Sequence, residues 1–143
     1  MPYTFLDDLT LSDEAFRATG ESLDELFTSS WLAVLHLLIG NPESLEPRST
    51  EILELESSSI DLLLFDFLEG QLYIKDTTNL FLKPYSVAVS AQGETYCLAA
   101  EMRGEEFDPA RHVAGTEVKA ITMYQFNVTK QDDVWIATVV VDV

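Results

Sequence analysis

The chain contains the stretch GTEVKAIT at residues 115–122 and closes on VVVDV at residues 139–143. Both stretches are rich in β-branched residues, which favour strands. We therefore predict strands over residues 116–128 and 134–143, joined as a hairpin by the turn Gln131-Asp132-Asp133. In this arrangement Lys119 lies in mid-strand, on the same face as Ile121 and Met123. Asp142 precedes Val143, so its side-chain carboxylate is expected to lie close to the C-terminal carboxylate of Val143.

The remaining elements follow from capping and periodicity. Ser22 with Glu25 forms a capping-box pattern, and apolar residues at helical spacing follow it. Gly40-Asn41-Pro42 ends this helix, which we predict to close with a left-handed cap. A second helix begins near Ser58 or Ser59. The other predicted strands cover residues 3–6, 13–19, 49–55, 83–90 and 95–102, and residues 104–115 form a loop.

These elements predict an α+β fold, with two helices packed on a largely antiparallel sheet. At 143 residues the length fits a single domain over residues 1–143. We find no internal repeat in the sequence. The only cysteine is Cys97, which fits a reducing compartment. No leader peptide is apparent and the apolar run at residues 31–39 is too short to span a bilayer. We expect a cytoplasmic protein without membrane contact.

The net charge is −17, with 25 acidic and eight scattered basic residues (Lys+Arg 8). Nucleic-acid binding needs clustered cations that displace counterions from phosphates. We therefore expect no tight direct binding of nucleic acid. Any role in RNA biology would then require a basic protein partner. The alternative interpretation is that the high acidity only keeps the protein soluble.

Several motifs in the same order resemble the archease family, whose members activate the GTP-dependent RNA ligase of tRNA splicing and RNA repair. The chain opens on Tyr3-Thr4-Phe5-Leu6-Asp7, and Gly20-Glu21-Ser22 introduces the first helix. Glu46-Pro47-Arg48 resembles the turn after that helix. The most specific matches are Gly104-Glu105-Glu106-Phe107-Asp108, Arg111-His112 and the stretch around Lys119. The resemblance implies a strand-helix-strand-strand unit, elaborated by a second helix and further strands.

The resemblance also implies a metal site. It carries the metal-binding positions of the family onto Asp13 and Asp142, joined by the carboxylate of Val143. The segment before Asp13 is two residues longer than the family motif and lacks its histidine, so Asp7 or Asp8 are alternative ligands. All-oxygen ligands favour Ca²⁺ or Mg²⁺. A full shell would need further oxygens from water, backbone carbonyls or a partner. Solvated surface acids are the alternative interpretation.

Four other side chains are candidates for a functional role. The resemblance makes Lys119 a candidate contact for the ligase, against the alternative of a solvated lysine. Many relatives carry histidine where this chain has Tyr124, so any role of that histidine is lost or has moved to Tyr124. His112 is expected to structure its loop. Cys97 has no histidine nearby in sequence, which argues against a nucleophile.

The resemblance thus implies a non-enzymatic, metal-binding activator that promotes guanylylation and turnover of an RNA ligase. One alternative is a stand-alone metal-dependent hydrolase of a small substrate, which would need a general base beside the metal. The other is a structural adaptor.

Overall fold

The computed structural model describes residues 2–6 and 13–143, which form two antiparallel sheets and two helices. This confirms the predicted α+β class. In chain order the elements are β1 (Tyr3–Leu6), β2 (Asp13–Gly20), α1 (Leu23–Leu38), a 3-10 turn (Pro42–Ser44), β3 (Ser49–Ser57), α2 (Ile60–Thr78), β4 (Leu80–Gln92), β5 (Thr95–Glu106), β6 (Ala120–Gln131) and β7 (Val134–Asp142). Within the described residues, neither helix is long and apolar enough to cross a membrane.

The two sheets repeat one topology. The larger sheet has the order β1-β2-β7-β6 and the smaller one the order β3-β5-β4. Strands β2, β6 and β7 with α1 therefore form a strand-helix-strand-strand unit, as do β3, β4 and β5 with α2. The second unit is inserted between α1 and β6 of the first. The two units thus share connectivity, although the sequence shows no internal repeat.

Ser22 caps α1 as predicted, and of the two serines that the sequence offers for α2, Ser59 is the cap. The Ser22 hydroxyl oxygen accepts a hydrogen bond from the Glu25 N–H at 3.2 Å, and that of Ser59 accepts from the Leu62 N–H at 3.4 Å. These bonds satisfy N–H groups that have no partner inside the helix. Between the helices, the Trp31 and Phe67 rings pack with centroids 4.8 Å apart. This contact lies in the buried core.

Each helix also contacts the edge strand of the other unit. In the first turn of α1, the Asp24 carboxylate accepts a hydrogen bond from the Val89 N–H of β4 at 2.8 Å. In the first turn of α2, the Asp61 carboxylate accepts one from the Val128 N–H of β6 at 3.3 Å. The two units are therefore joined by reciprocal bonds, and each bond covers a backbone donor on an edge strand.

The end of α1 differs from the prediction. Its last residue is followed by Ile39 in an extended conformation, so the left-handed cap expected at Gly40 is wrong. The reason is tertiary. The carbonyl of Leu37 accepts from the Thr116 N–H at 2.6 Å, and that of Leu38 from the Gly115 N–H at 3.3 Å. A distant loop thus supplies the donors that a local glycine cap would otherwise provide.

The same contacts correct two strand boundaries. The strand that the sequence predicts over residues 116–128 begins only at Ala120, because residues 115 and 116 are bonded to α1. Val118 and Ile121 are both buried, so the predicted alternation through Lys119 is also wrong. Conversely, β5 runs on to Glu106, through residues assigned to a loop. Gly104 pairs there with Leu82, where an added Cβ would collide with the backbone of β4.

Candidate metal and partner site

Asp13 and Asp142 meet where β2 and β7 pair. They are direct cross-strand partners in the antiparallel register, and both are half-buried. Directly opposed residues project from the same face of a sheet, with Cβ atoms about 4.5–5.5 Å apart. The two carboxylates that the sequence places at opposite ends of the chain therefore lie side by side.

Lys119 lies beside this pair. It immediately precedes β6 rather than occupying mid-strand, and its side chain is exposed. Its backbone N–H donates to the carbonyl oxygen of Asp142 at 2.8 Å. The next residue, Ala120, is the cross-strand partner of Asp142 in β6. The loop that carries Lys119 is therefore fixed directly to the strand that carries Asp142.

The donor chemistry of this strand end fits a hard cation. The side chains of Asp13 and Asp142 offer carboxylate oxygens, which suit Ca²⁺ or Mg²⁺. Val143 is half-buried and packs against the core, which fixes the position of the residue after Asp142. Asp7 and Asp8 lie outside the described residues. Across residues 2–6 and 13–143, no three His, Cys, Asp or Glu residues are grouped to hold a metal.

A second polar cluster, which the sequence did not predict as a unit, surrounds Glu105. This side chain is only 4% exposed and lies at the end of β5. One carboxylate oxygen contacts Arg111 at 2.5 Å and Arg48 at 3.1 Å. The other accepts from the Glu46 N–H at 2.9 Å and lies 3.0 Å from Nε2 of His112. The hydrogen bond from Arg111 is the main reason that the pKa of Glu105 is lowered to about 2, with further lowering by Glu46 and His112.

The bonds of His112 define its role. Its Nδ1 accepts a hydrogen bond from the Asp108 N–H at 2.8 Å, so this nitrogen carries no proton. Nε2 then carries the proton and donates to Glu105, which gives a neutral ring. His112 is buried, and both of its ring nitrogens are hydrogen-bonded. It joins the backbone of Asp108 to the side chain of Glu105. The loop-structuring role expected for His112 agrees with this geometry.

The loop after β5 is therefore fixed at two places before it reaches Lys119. The Glu105 cluster holds residues 108–112, and the end of α1 holds Gly115 and Thr116. The motifs at residues 46–48, 104–108 and 111–112 meet in this cluster. The acidic and basic residues in these motifs were the available signal, but the sequence did not show that they converge on the carboxylate of Glu105.

Cys97 is remote from both clusters. Its sulfur lies 4.0 Å from a carboxylate oxygen of Glu56, on the smaller sheet. Both histidines of the chain are bonded elsewhere, His36 to Tyr3 and His112 to Glu105 and Asp108, so neither activates this thiol. The geometry therefore agrees with the expectation that Cys97 is not a nucleophile.

Comparisons with known proteins agree on one family. The model of the Archease protein family (MTH1598/TM1083) matches residues 3–143. Protein archease of Pyrococcus abyssi is 32% identical over 133 residues, covering 92% of this chain and 93% of the relative. Protein archease of Methanosarcina barkeri is 30% identical over 142 residues, covering 99% and 95%.

Solved structures support the same fold. The solution structure of protein 1598 from Methanobacterium thermoautotrophicum has a TM-score of 0.87 and 27% identity, covering 99% of both chains. The crystal structure of an archease and possible chaperone from Thermotoga maritima has a TM-score of 0.66. It covers 94% of this chain and 93% of its own, and at 19% identity it supports the fold alone.

Proposed function

The chain belongs to the archease family, and on this premise we propose that it is a non-enzymatic activator of an RNA ligase. It would promote guanylylation and turnover of the ligase in tRNA splicing or RNA repair. The observation that carries the proposal is the pairing of Asp13 with Asp142, beside the loop of Lys119. This groups three residues that the family resemblance singles out.

The proposed metal ligands are Asp13, Asp142 and the carboxylate of Val143, with Asp7 or Asp8 as alternatives. A bound Ca²⁺ or Mg²⁺ would supply concentrated positive charge at this strand end. The protein side chains offer too few oxygens to fill a calcium shell of about 6 to 8 ligands. Water, backbone carbonyls or the ligase would contribute the others, which makes the site suitable for sharing with a partner.

The charge of the chain supports a protein partner rather than direct contact with RNA. A net charge of −17 repels phosphates and attracts a basic protein surface. Lys119 is exposed at the edge of the proposed site, where a contact with the ligase is sterically open.

The histidines argue against the hydrolase alternative. A metal-dependent hydrolase needs a group that takes up a proton near the metal. His112 is buried with both ring nitrogens bonded, and Nδ1 of His36 lies 3.0 Å from the Tyr3 hydroxyl. These are the two histidines of the chain. Neither belongs to the Asp13–Asp142 pair.

The test is guanylylation of the purified RNA ligase from the same organism, measured with and without this protein. We expect the native chain to increase the rate, and Asp13→Ala and Lys119→Ala to remove most of the increase. Lys130→Ala is the matched control, because Lys130 is an exposed lysine at the opposite end of β6. No acceleration by the native chain would refute the proposed function. Full acceleration by Lys119→Ala would show that Lys119 is a solvated surface residue and not a contact with the ligase.

A further inference from the structure

The two structural units carry equivalent tyrosines. Tyr85 precedes Val89 in β4 by the same number of residues as Tyr124 precedes Val128 in β6. Val89 and Val128 are themselves equivalent, since each donates to the first-turn aspartate of the opposite helix. Both tyrosines lie at an interruption of strand register, and both are exposed, Tyr85 at 61% and Tyr124 at 56%.

The environments of the two rings differ. The Arg103 guanidinium lies over the Tyr85 ring, 3.3 Å from its centroid, and is held by the Glu101 carboxylate. A cation in this position is attracted by the negative face of the ring. In the part of the chain that the structure describes, no lysine or arginine lies over the Tyr124 ring.

The hairpins explain this difference. Arg103 follows the first residue of β5 by the same number of residues as Asp142 follows the first residue of β7. By this count, Arg103 and Asp142 occupy corresponding positions. The unit that contains Tyr85 therefore covers its ring with an arginine, whereas the unit that contains Tyr124 has an aspartate at that position. The second tyrosine therefore combines an uncovered ring with an acid, Asp142, at the position where the first unit has Arg103.

The backbone around Tyr124 presents this ring outward. Residues 123–126 are left out of the pairing between β6 and β7, and Gln125 has a φ of 54°. Such a conformation is uncommon for residues other than glycine. Met123 is 55% exposed beside Tyr124. An open depression of about 460 Å³ adjoins the bulge, lined by Gln125, Phe126, Asn127 and Thr138.

We propose that the Tyr124 ring receives an arginine or lysine side chain of the partner RNA ligase, with Met123 as an apolar contact beside it. This inference rests on the proposed function and adds a docking contact to it. Charge complementarity favours this occupant, since a chain of net charge −17 attracts a basic partner. The contact lies on the strand that begins next to Lys119, so one partner surface would reach both residues.

The test is calorimetric titration of the purified RNA ligase from the same organism with the native chain and three variants. Tyr124→Leu removes the ring but keeps apolar volume, and we expect it to weaken binding about 5- to 30-fold. Tyr124→Phe keeps the ring and should bind within about twofold of the native chain. Tyr73→Leu is the control, because Tyr73 is 68% exposed on α2, and its affinity should not change.

The outcomes separate the two proposals. Native affinity in Tyr124→Leu, or an equal loss in Tyr124→Phe, would overturn the tyrosine contact while leaving the activator function standing. No binding by the native chain would overturn both. Sedimentation of the chain alone tests the other occupant, since a dimer that Tyr124→Leu dissociates would assign the ring to a second copy of the chain.

Discussion

At the scale of single residues, Glu105 joins two segments that are distant from each other in sequence. Its carboxylate contacts Arg48, Arg111, His112 and the backbone of Glu46, so it links the turn before β3 to the loop after β5. Removing the charge weakens the acceptor of the buried His112 ring, which costs more than the loss of one exposed ion pair. The residue is therefore structural, and it acts on the proposed site only through the loop that leads to Lys119.

The pKa of Glu105 gives a prediction with a defined sign. Its pKa is about 2 in the folded chain and about 4.3 in an unfolded chain. A lowered pKa contributes stability that is fully present above the unfolded value and is lost as the pH falls toward the folded value. We expect Glu105→Gln to lower the free energy of unfolding at pH 7, with the difference from the native chain shrinking between about pH 4.3 and 2.

Urea denaturation over this pH range measures the difference. Glu106→Gln is the matched control, because its exposed neighbouring carboxylate lies outside the cluster, and we expect little effect at any pH. A destabilisation by Glu105→Gln that stays constant from pH 7 to the acid limit would contradict the electrostatic explanation.

Two glycines allow a second prediction at this scale. A Cβ on Gly115 would collide with the backbone at the end of α1, whereas one on Gly70 would meet only a side-chain carbon of Leu53 at 3.4 Å. We expect Gly115→Ala to lower stability by about 2 kcal/mol and Gly70→Ala, within a helix, to raise it by about 0.5–1 kcal/mol. Thermal unfolding of both variants gives the comparison, and a Gly115→Ala chain as stable as the native one would refute the close contact.

At the scale of elements, the reciprocal bonds of Asp24 and Asp61 join the two units. Each carboxylate covers a backbone donor of the edge strand in the other unit. We expect Asp24→Ala to speed amide hydrogen exchange at Val89 but not at Val128, and Asp61→Ala to do the reverse. Each variant should cost about 1 kcal/mol of stability. The two variants serve as controls for each other, and equal acceleration at both amides would show general loosening instead.

Sequence reasoning succeeded for elements whose boundaries are set locally. Ser22 and Ser59 cap their helices with their own side chains, and the turns after Gln92 and Gln131 connect adjacent strands. It failed where the partner is distant in sequence. The end of α1 is capped by the N–H groups of Gly115 and Thr116, and these bonds also delay the start of β6. The sequence around each segment does not show that the two segments meet.

The candidate site shows the same division. Residue types and family resemblance singled out Asp13, Asp142 and Lys119 as candidates, but only the strand register shows the two aspartates as direct partners. The Glu105 cluster was missed because its members come from separate segments. Likewise, the difference between Tyr85 and Tyr124 depends on a guanidinium that reaches one ring across neighbouring strands.

At the scale of the whole molecule, the second unit is inserted into the first without separating its terminal strands. Strands β2 and β7 pair along their length, although they belong to opposite ends of the chain. This pairing places the carboxylates of Asp13 and Asp142 side by side. In the proposal these two groups, together with the terminal carboxylate, bind a hard cation. The central claim is therefore that Asp13 and Asp142 bind this cation together.

Calorimetric titration of the isolated chain with Ca²⁺, and separately with Mg²⁺, tests this claim most directly. We expect the native chain to bind, and Asp13→Ala and Asp142→Ala each to lose binding while circular dichroism shows an unchanged fold. A short glycine extension after Val143 should weaken binding, since it turns a carboxylate into a neutral amide. Glu94→Ala, in the exposed turn of the other hairpin, should bind as the native chain does. Unchanged affinity in the Asp13→Ala, Asp142→Ala double variant would contradict the account.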